Sequence, residues 1–141
     1  MILLDLDPGD ARPIYTQIAD QVKFAVAAGV LRTGDLVPSV RELAKQLVVN
    51  PNTVARAYRD LQAEGLLGPV RGTGLQVNEG AQERCREARR AHVRQRLRNA
   101  LAEAKRSAMD PREIEVILEE TWAETNGANP LRSTDKRGGM S

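Results

Sequence analysis

Cysteine and histidine each occur once in this chain of 141 residues, as Cys85 and His92. One thiol cannot close a disulfide within the chain, so nothing implies an oxidising compartment. One histidine and one cysteine do not supply the several ligands of a zinc site. No serine or cysteine stands in a pattern with a base and an orienting acid, and Gly72-Thr73-Gly74 is too short for a phosphate-binding loop and lacks its lysine. These absences argue against an enzyme and leave no cofactor and no metal to expect. Aromatic residues are only 3% of the chain, so its core has to come from Leu, Val, Ile and Ala, which favours helices packed on helices. No run approaches the ~20 apolar residues of a membrane span. The start, Met1-Ile2-Leu3-Leu4-Asp5, lacks the basic residues and long apolar run of a secretory signal. The expectation is a soluble, cytoplasmic protein with no membrane partner.

What is present is a succession of punctuated helices. Ile2 to Leu6 reads as extended and Pro8-Gly9-Asp10 as a turn. A helix is expected from about Arg12-Pro13, with Ile14, Ile18, Val22 and Val26 as one apolar stripe, broadened by Ala25 and stopped at Gly29. After the turn at Gly34-Asp35, Ser39-Val40-Arg41-Glu42 fits a capping box, and Val40, Leu43, Ala44 and Leu47 share a face. Asn50-Pro51 opens the next helix as cap and first residue. Val54, Ala57, Tyr58 and Leu61 form its inner face; Asn52, Ala55, Arg56 and Arg59 lie opposite. Gly65 closes that helix, and Leu66 to Val77, with Gly68, Pro69, Gly72 and Gly74, suits a hairpin whose Pro69 strand lies at an edge.

Two short capped helices joined by a tight turn and followed by a glycine-bearing hairpin make a winged helix-turn-helix pattern. Such a unit packs one face of its second helix on the domain and offers the other to the major groove. Here the offered face carries Asn52 and Arg56, with Thr53 at its edge. Asparagine pairs bidentately with adenine and arginine with guanine, and a helix start attracts phosphate. Arg71 and Gly72 would form the wing tip. Other readings stay open: Arg56 and Arg59 could simply solvate a helix face, and Arg41 could pair with Glu42 or Glu64. An RNA-binding or protein-interaction winged helix is the alternative function. Base stacking on RNA needs exposed aromatics, however, and Tyr15, Phe24, Tyr58 and Trp122 all fall on apolar faces.

Gly34-Asp35, Pro38-Ser39-x-Arg41-x-Leu43-Ala44, Asn50-Pro51-Asn52-Thr53-Val54, Ala57-Tyr58, Leu61, Glu64-Gly65-Leu66 and Gly72-x-Gly74 resemble the DNA-binding domain of GntR-family regulators, over about Pro13 to Val77. The Asn-Pro-Asn-Thr-Val run followed by Ala-Tyr, with a short C-terminal segment, is most similar to the YtrA-like subfamily. That resemblance implies DNA contacts from Arg41, Asn50, Asn52, Thr53 and Gly72, and Ser39 at the cap is a further candidate contact. Arg56 and Arg71 are added from the helix and wing pattern. Pro51 and Ala55 stand where several relatives carry basic residues, and Arg56 is the candidate substitute. Val48 stands where the family usually has glycine. A β-branched residue at positive φ is strained, so either the turn changes shape or the site costs stability.

From Ala81 to Ala108 the chain lacks Pro and Gly and is dense in arginine: Arg84, Arg86, Arg89, Arg90, Arg94, Arg96 and Arg98. Ala88, Val93, Leu97, Leu101, Ala104 and Ala108 trace a narrow apolar seam along it. Asp110 caps a last helix, with Met109 and Ile114 placed for a hydrophobic staple. Ile114, Ile117, Leu118 and Trp122 form its apolar face among many glutamates. Leu97, Leu101, Ile114, Ile117, Leu118 and Trp122 are the candidate dimerisation residues, and Cys85 is read as a seam or surface residue.

The expected architecture is mainly α with a small β-wing. It comprises a winged helix-turn-helix over 1–78, a two-helix dimerisation or effector segment over 79–125, and a disordered tail over 126–141. The expected function is a dimeric repressor that binds double-stranded operator DNA as an inverted repeat. Its resemblance to the YtrA-like branch suggests transporter or envelope-stress genes. A small-molecule effector is conceivable, but no pocket of ~300 Å³ or more with converging polar groups is evident.

Overall fold

The computed structural model describes residues 6–72 and 74–125. Of the extended start expected from Ile2 to Leu6, residues 2–5 lie outside them, as does the tail expected over 126–141. The elements are α1 (Ile14–Ala27), α2 (Val40–Leu47), α3 (Pro51–Ala63), β1 (Leu67–Pro69), β2 (Leu75–Val77), α4 (Ala81–Arg106) and α5 (Pro111–Thr125). The chain divides into two compact units, one up to Arg94 and one from Gln95, so the border falls inside α4.

In the first unit, Pro13 caps α1 from an extended backbone (φ −55°, ψ 147°), and the helix begins one residue later than expected. The apolar stripe is buried from Ile18 onward, through Val22, Ala25 and Val26, whereas Ile14 stays 42% exposed. Gly29, at φ 80°, takes the left-handed conformation that ends the helix. The α3 helix packs on both α1 and α2. Its Val54, Ala57, Tyr58 and Leu61 are buried, as expected, beside Leu43 and Ala44 of α2. The Tyr58 hydroxyl donates to the Pro38 carbonyl at 2.6 Å, which ties α3 to the segment leading into α2.

The hairpin pairs Leu67 with Val77, Gly68 with Gln76 and Pro69 with Leu75 in antiparallel register. Leu36 bridges Gln76 on the other side of β2, and the Val37 amide donates to the Leu75 carbonyl at 2.9 Å. Pro69 therefore lies on the outer strand, where its missing donor costs nothing.

The start of α4 completes this core, and here the structure corrects one expectation. Cys85 is neither a seam nor a surface residue: it is 1% exposed and sits beside buried Ala81. Burial pushes its thiol pKa up, which favours the unreactive form. Two residues of the arginine run hold helix ends. Arg84 donates to the carbonyl of Glu64 at 2.6 Å and Arg86 to that of Ala27 at 3.4 Å. Both carbonyls belong to the orphan acceptors at a helix C-terminus, where a cation is favoured. His92 sets its ring against Phe24, with centroids 5.3 Å apart, and its Nδ1 lies 3.9 Å from the Asp20 carboxylate.

In the second unit, Asp110 caps α5 as expected, accepting the Glu113 amide at 2.9 Å. The staple pair Met109 and Ile114 is half-buried. No residue of α5 is buried. Leu97, Leu101, Ile117, Leu118 and Trp122 are each 43–51% exposed, so Trp122 is not committed to a core within this chain.

Candidate nucleic-acid interface

The interface builds outward from two local caps. The Ser39 hydroxyl accepts the Glu42 amide at 3.1 Å while the Glu42 carboxylate accepts the Ser39 amide at 3.2 Å, a complete capping box. Arg41, exposed within that first turn, pairs with neither Glu42 nor Glu64. Glu64 is taken by Lys23 at 3.0 Å. Among the described residues the Arg41 guanidinium enters no hydrogen bond or ion pair, which leaves its donors available.

At the end of α2, the chain keeps the left-handed turn despite its departure from glycine. Val48 adopts φ 55° and ψ 54°, and the Val49 amide donates back to the Ala44 carbonyl at 3.0 Å. Of the two outcomes open in the sequence, the turn retains its shape and the residue bears the strain. A left-handed L-residue costs about 1–2 kcal/mol, and the Val48 side chain, 88% exposed, recovers little of that by burial.

The turn delivers Asn50, whose side-chain oxygen accepts the Asn52 amide at 2.8 Å, with Pro51 in the first position of α3. Beyond this cap, Asn52 is exposed and Thr53 partly so, and Arg56 and Arg59 are exposed on the face away from the core. Arg56 does not simply extend into solvent. Its guanidinium carbon lies 3.8 Å from the centroid of the Tyr15 ring on α1, a cation–π geometry. No sequence spacing links Tyr15 to Arg56, because the contact exists only once α1 and α3 pack.

Arg41, Lys45, Val48 and Asn50 line one open depression of about 710 Å³ at the turn. The fold thus brings two of the expected contact residues, Arg41 and Asn50, to a single concavity. Arg71 and Gly72 lie separately on the hairpin. Arg71 is exposed, and Gly72 holds φ 109° with open space around it, a conformation that disfavours any side chain. Thr73, at the wing tip, lies outside the described residues.

A second hollow, of about 760 Å³, lies open to solvent beside α2. Leu31, Leu36, Val37 and Pro38 form its apolar wall, with Glu42, Lys45 and Gln46 on the α2 side. It is assembled from a loop, a β-bridge and one helix face, so no sequence motif announces it. Among the described residues no group of three His, Cys, Asp or Glu is placed to hold a metal ion. No described helix is long and apolar enough to cross a membrane.

Comparison with known proteins adds to this geometry. The family described as "Bacterial regulatory proteins, gntR family" matches residues 14–77, from the start of α1 to the end of β2. The chain is 32% identical over 125 residues to the HTH-type transcriptional repressor YtrA of Bacillus subtilis, covering 89% of this chain and 96% of that protein. Among solved structures, a GntR-family regulator from Listeria monocytogenes superposes with a TM-score of 0.63 at 31% identity, over 86% of this chain and all of that one. YtrA from Sulfolobus acidocaldarius, a GntR-family transcription factor, gives 0.52 at 37% identity, over 70% of this chain and 97% of that one.

Proposed function

The chain belongs to the GntR family of bacterial regulatory proteins, as a DNA-binding transcription regulator similar to YtrA, and on that premise we propose that it is a dimeric repressor gripping an inverted-repeat operator. The observation that carries this reading is the α2–turn–α3 unit. It stands on the Ser39 capping box and the Asn50 cap, and presents Arg41 with its donors unspent in one depression with Asn50. Arg41 would take a backbone phosphate. Asn50 and Thr53 would serve the helix-start phosphate site, and Asn52 and Arg56 would read base edges. Ser39 would contribute through its cap, and Arg71 with Gly72 would let the wing approach the duplex closely.

The remaining assignments complete the reading. Residues 1–78 form the DNA-binding part and 79–125 carry dimerisation, through Leu97, Leu101, Ile114, Ile117, Leu118 and Trp122. Two winged units related by a two-fold axis then match two half-sites. The partner is double-stranded DNA in the cytoplasm. The hollow beside Leu36 and Lys45 is where a small effector would have room.

A titration of the protein on duplex DNA from upstream of its own gene, against a scrambled duplex at two salt concentrations, tests the proposal. The expected result is selective binding that weakens steeply with salt, with Arg41→Ala weakening it about tenfold while the helical signal is unchanged. Equal binding to both duplexes at both salt concentrations would overturn it.

A further inference from the structure

Of the two described non-glycine residues at positive φ, Val48 and Ala108, the β-branched one lies beside the residues assigned to DNA, and its side chain is almost wholly exposed. Val48 holds φ 55° with 88% of its surface exposed. It lines the same depression as Arg41, Lys45 and Asn50. Glycine would adopt this turn without strain and asparagine with less. The fold requires the left-handed turn but not a valine in it, and residues kept in strained conformations collect at functional sites. Burial is not the compensation for Val48, nor does its apolar side chain make a hydrogen bond.

We propose that Val48 is a specificity-determining residue of the operator contact, placing its two methyl groups against an apolar part of the DNA beside the phosphate held by Arg41. The inference rests on the operator-binding reading above. Duplex DNA offers two apolar surfaces at this depth, the C5-methyl of thymine in the major groove and the deoxyribose faces along the strand. A valine on a fixed turn suits either. The turn is pinned by the Val49 amide and by the Asn50 cap, so the methyl groups are held in place before binding.

The experiment compares Val48→Gly and Val48→Asn with the parent, in thermal melts and in operator titrations. Both variants should melt a few degrees higher, because the left-handed strain is relieved. Both should nonetheless bind the operator about five- to tenfold more weakly, the loss expected for removing two methyl contacts. The slope of affinity against salt should not change, because no phosphate contact is lost. Replacing each operator thymine by deoxyuridine identifies the surface. A loss at one position for the parent but not for Val48→Gly assigns the thymine methyl, and uniform insensitivity assigns the sugar. Operator affinity equal to or tighter than the parent's in both variants would overturn the proposal. If the parent itself shows no preference for the operator, the operator-binding reading has failed instead, which is a separate result.

Discussion

Tyrosines 15 and 58 illustrate how single side chains set the recognition helix. The Tyr58 hydroxyl donates to Pro38 and the ring is buried, and that burial raises the phenol pKa above its ordinary value of 10.0. The folded state therefore holds its proton to higher pH than the unfolded chain. This contribution is fully present below about pH 10 and is lost as pH rises beyond it. Tyr58→Phe should cost about 0.5–1.5 kcal/mol at neutral pH, since the Pro38 carbonyl loses its donor. It should also flatten the alkaline fall in stability, read from denaturant melts on either side of pH 10; an unchanged alkaline limb would remove Tyr58 as its source. Tyr15, partly packed against the core, also sets its ring against Arg56. If stacking orients that guanidinium for a base edge, Tyr15→Leu should weaken operator binding about two- to fivefold, the worth of an exposed cation–π pair. Tyr15→Phe, which keeps the ring face, should bind like the parent. Equal loss in both would mean that the hydroxyl or local packing matters and the stacking does not.

Elements with local signals were legible in the chain, and contacts made by tertiary packing were not. The Ser39–Glu42 box, the Asn50-Pro51 start and the Asp110 cap are interactions within three residues, so residue type at fixed spacing suffices to find them. The buried faces of α2 and α3 follow from periodicity for the same reason. The burial of Cys85 depends instead on where the first turns of α4 meet the core, and the apolar hollow at Leu36 depends on a bridge to β2. Arg84 and Arg86 read as part of a charge run, yet their role is set by the helix ends they reach. Asn50 shows how an element and its function can be separated experimentally. Its side chain caps α3 and its position faces the expected phosphate. Aspartate caps as well as asparagine and suits the helix dipole, so Asn50→Asp should leave the melting temperature within a degree or two. It should weaken operator binding at least tenfold, by setting a carboxylate against phosphate. Undiminished binding would place the DNA away from this helix start.

At the scale of the whole molecule, the described helices of the second unit leave their apolar side chains partly exposed. Among its described residues, Gln95 to Thr125, none is buried. Leu97, Leu101, Ile117, Leu118 and Trp122 stay roughly half exposed, and so many apolar side chains along two helices mark an interaction surface. In the dimer proposed above, a second copy would cover these side chains and bring the two-fold symmetry that an inverted repeat demands. The double variant Leu97→Glu/Ile117→Glu places carboxylates on this surface without touching the buried core of the first unit. In sedimentation at micromolar concentration the parent should run as a dimer and the variant as a monomer. The variant should bind a single half-site within about twofold of the parent and lose the avidity of joined half-sites, about a hundredfold or more, on the full repeat. A variant that remains dimeric would move the interface elsewhere. A monomeric variant that still binds the full repeat with parental affinity would show that dimerisation contributes nothing to operator recognition.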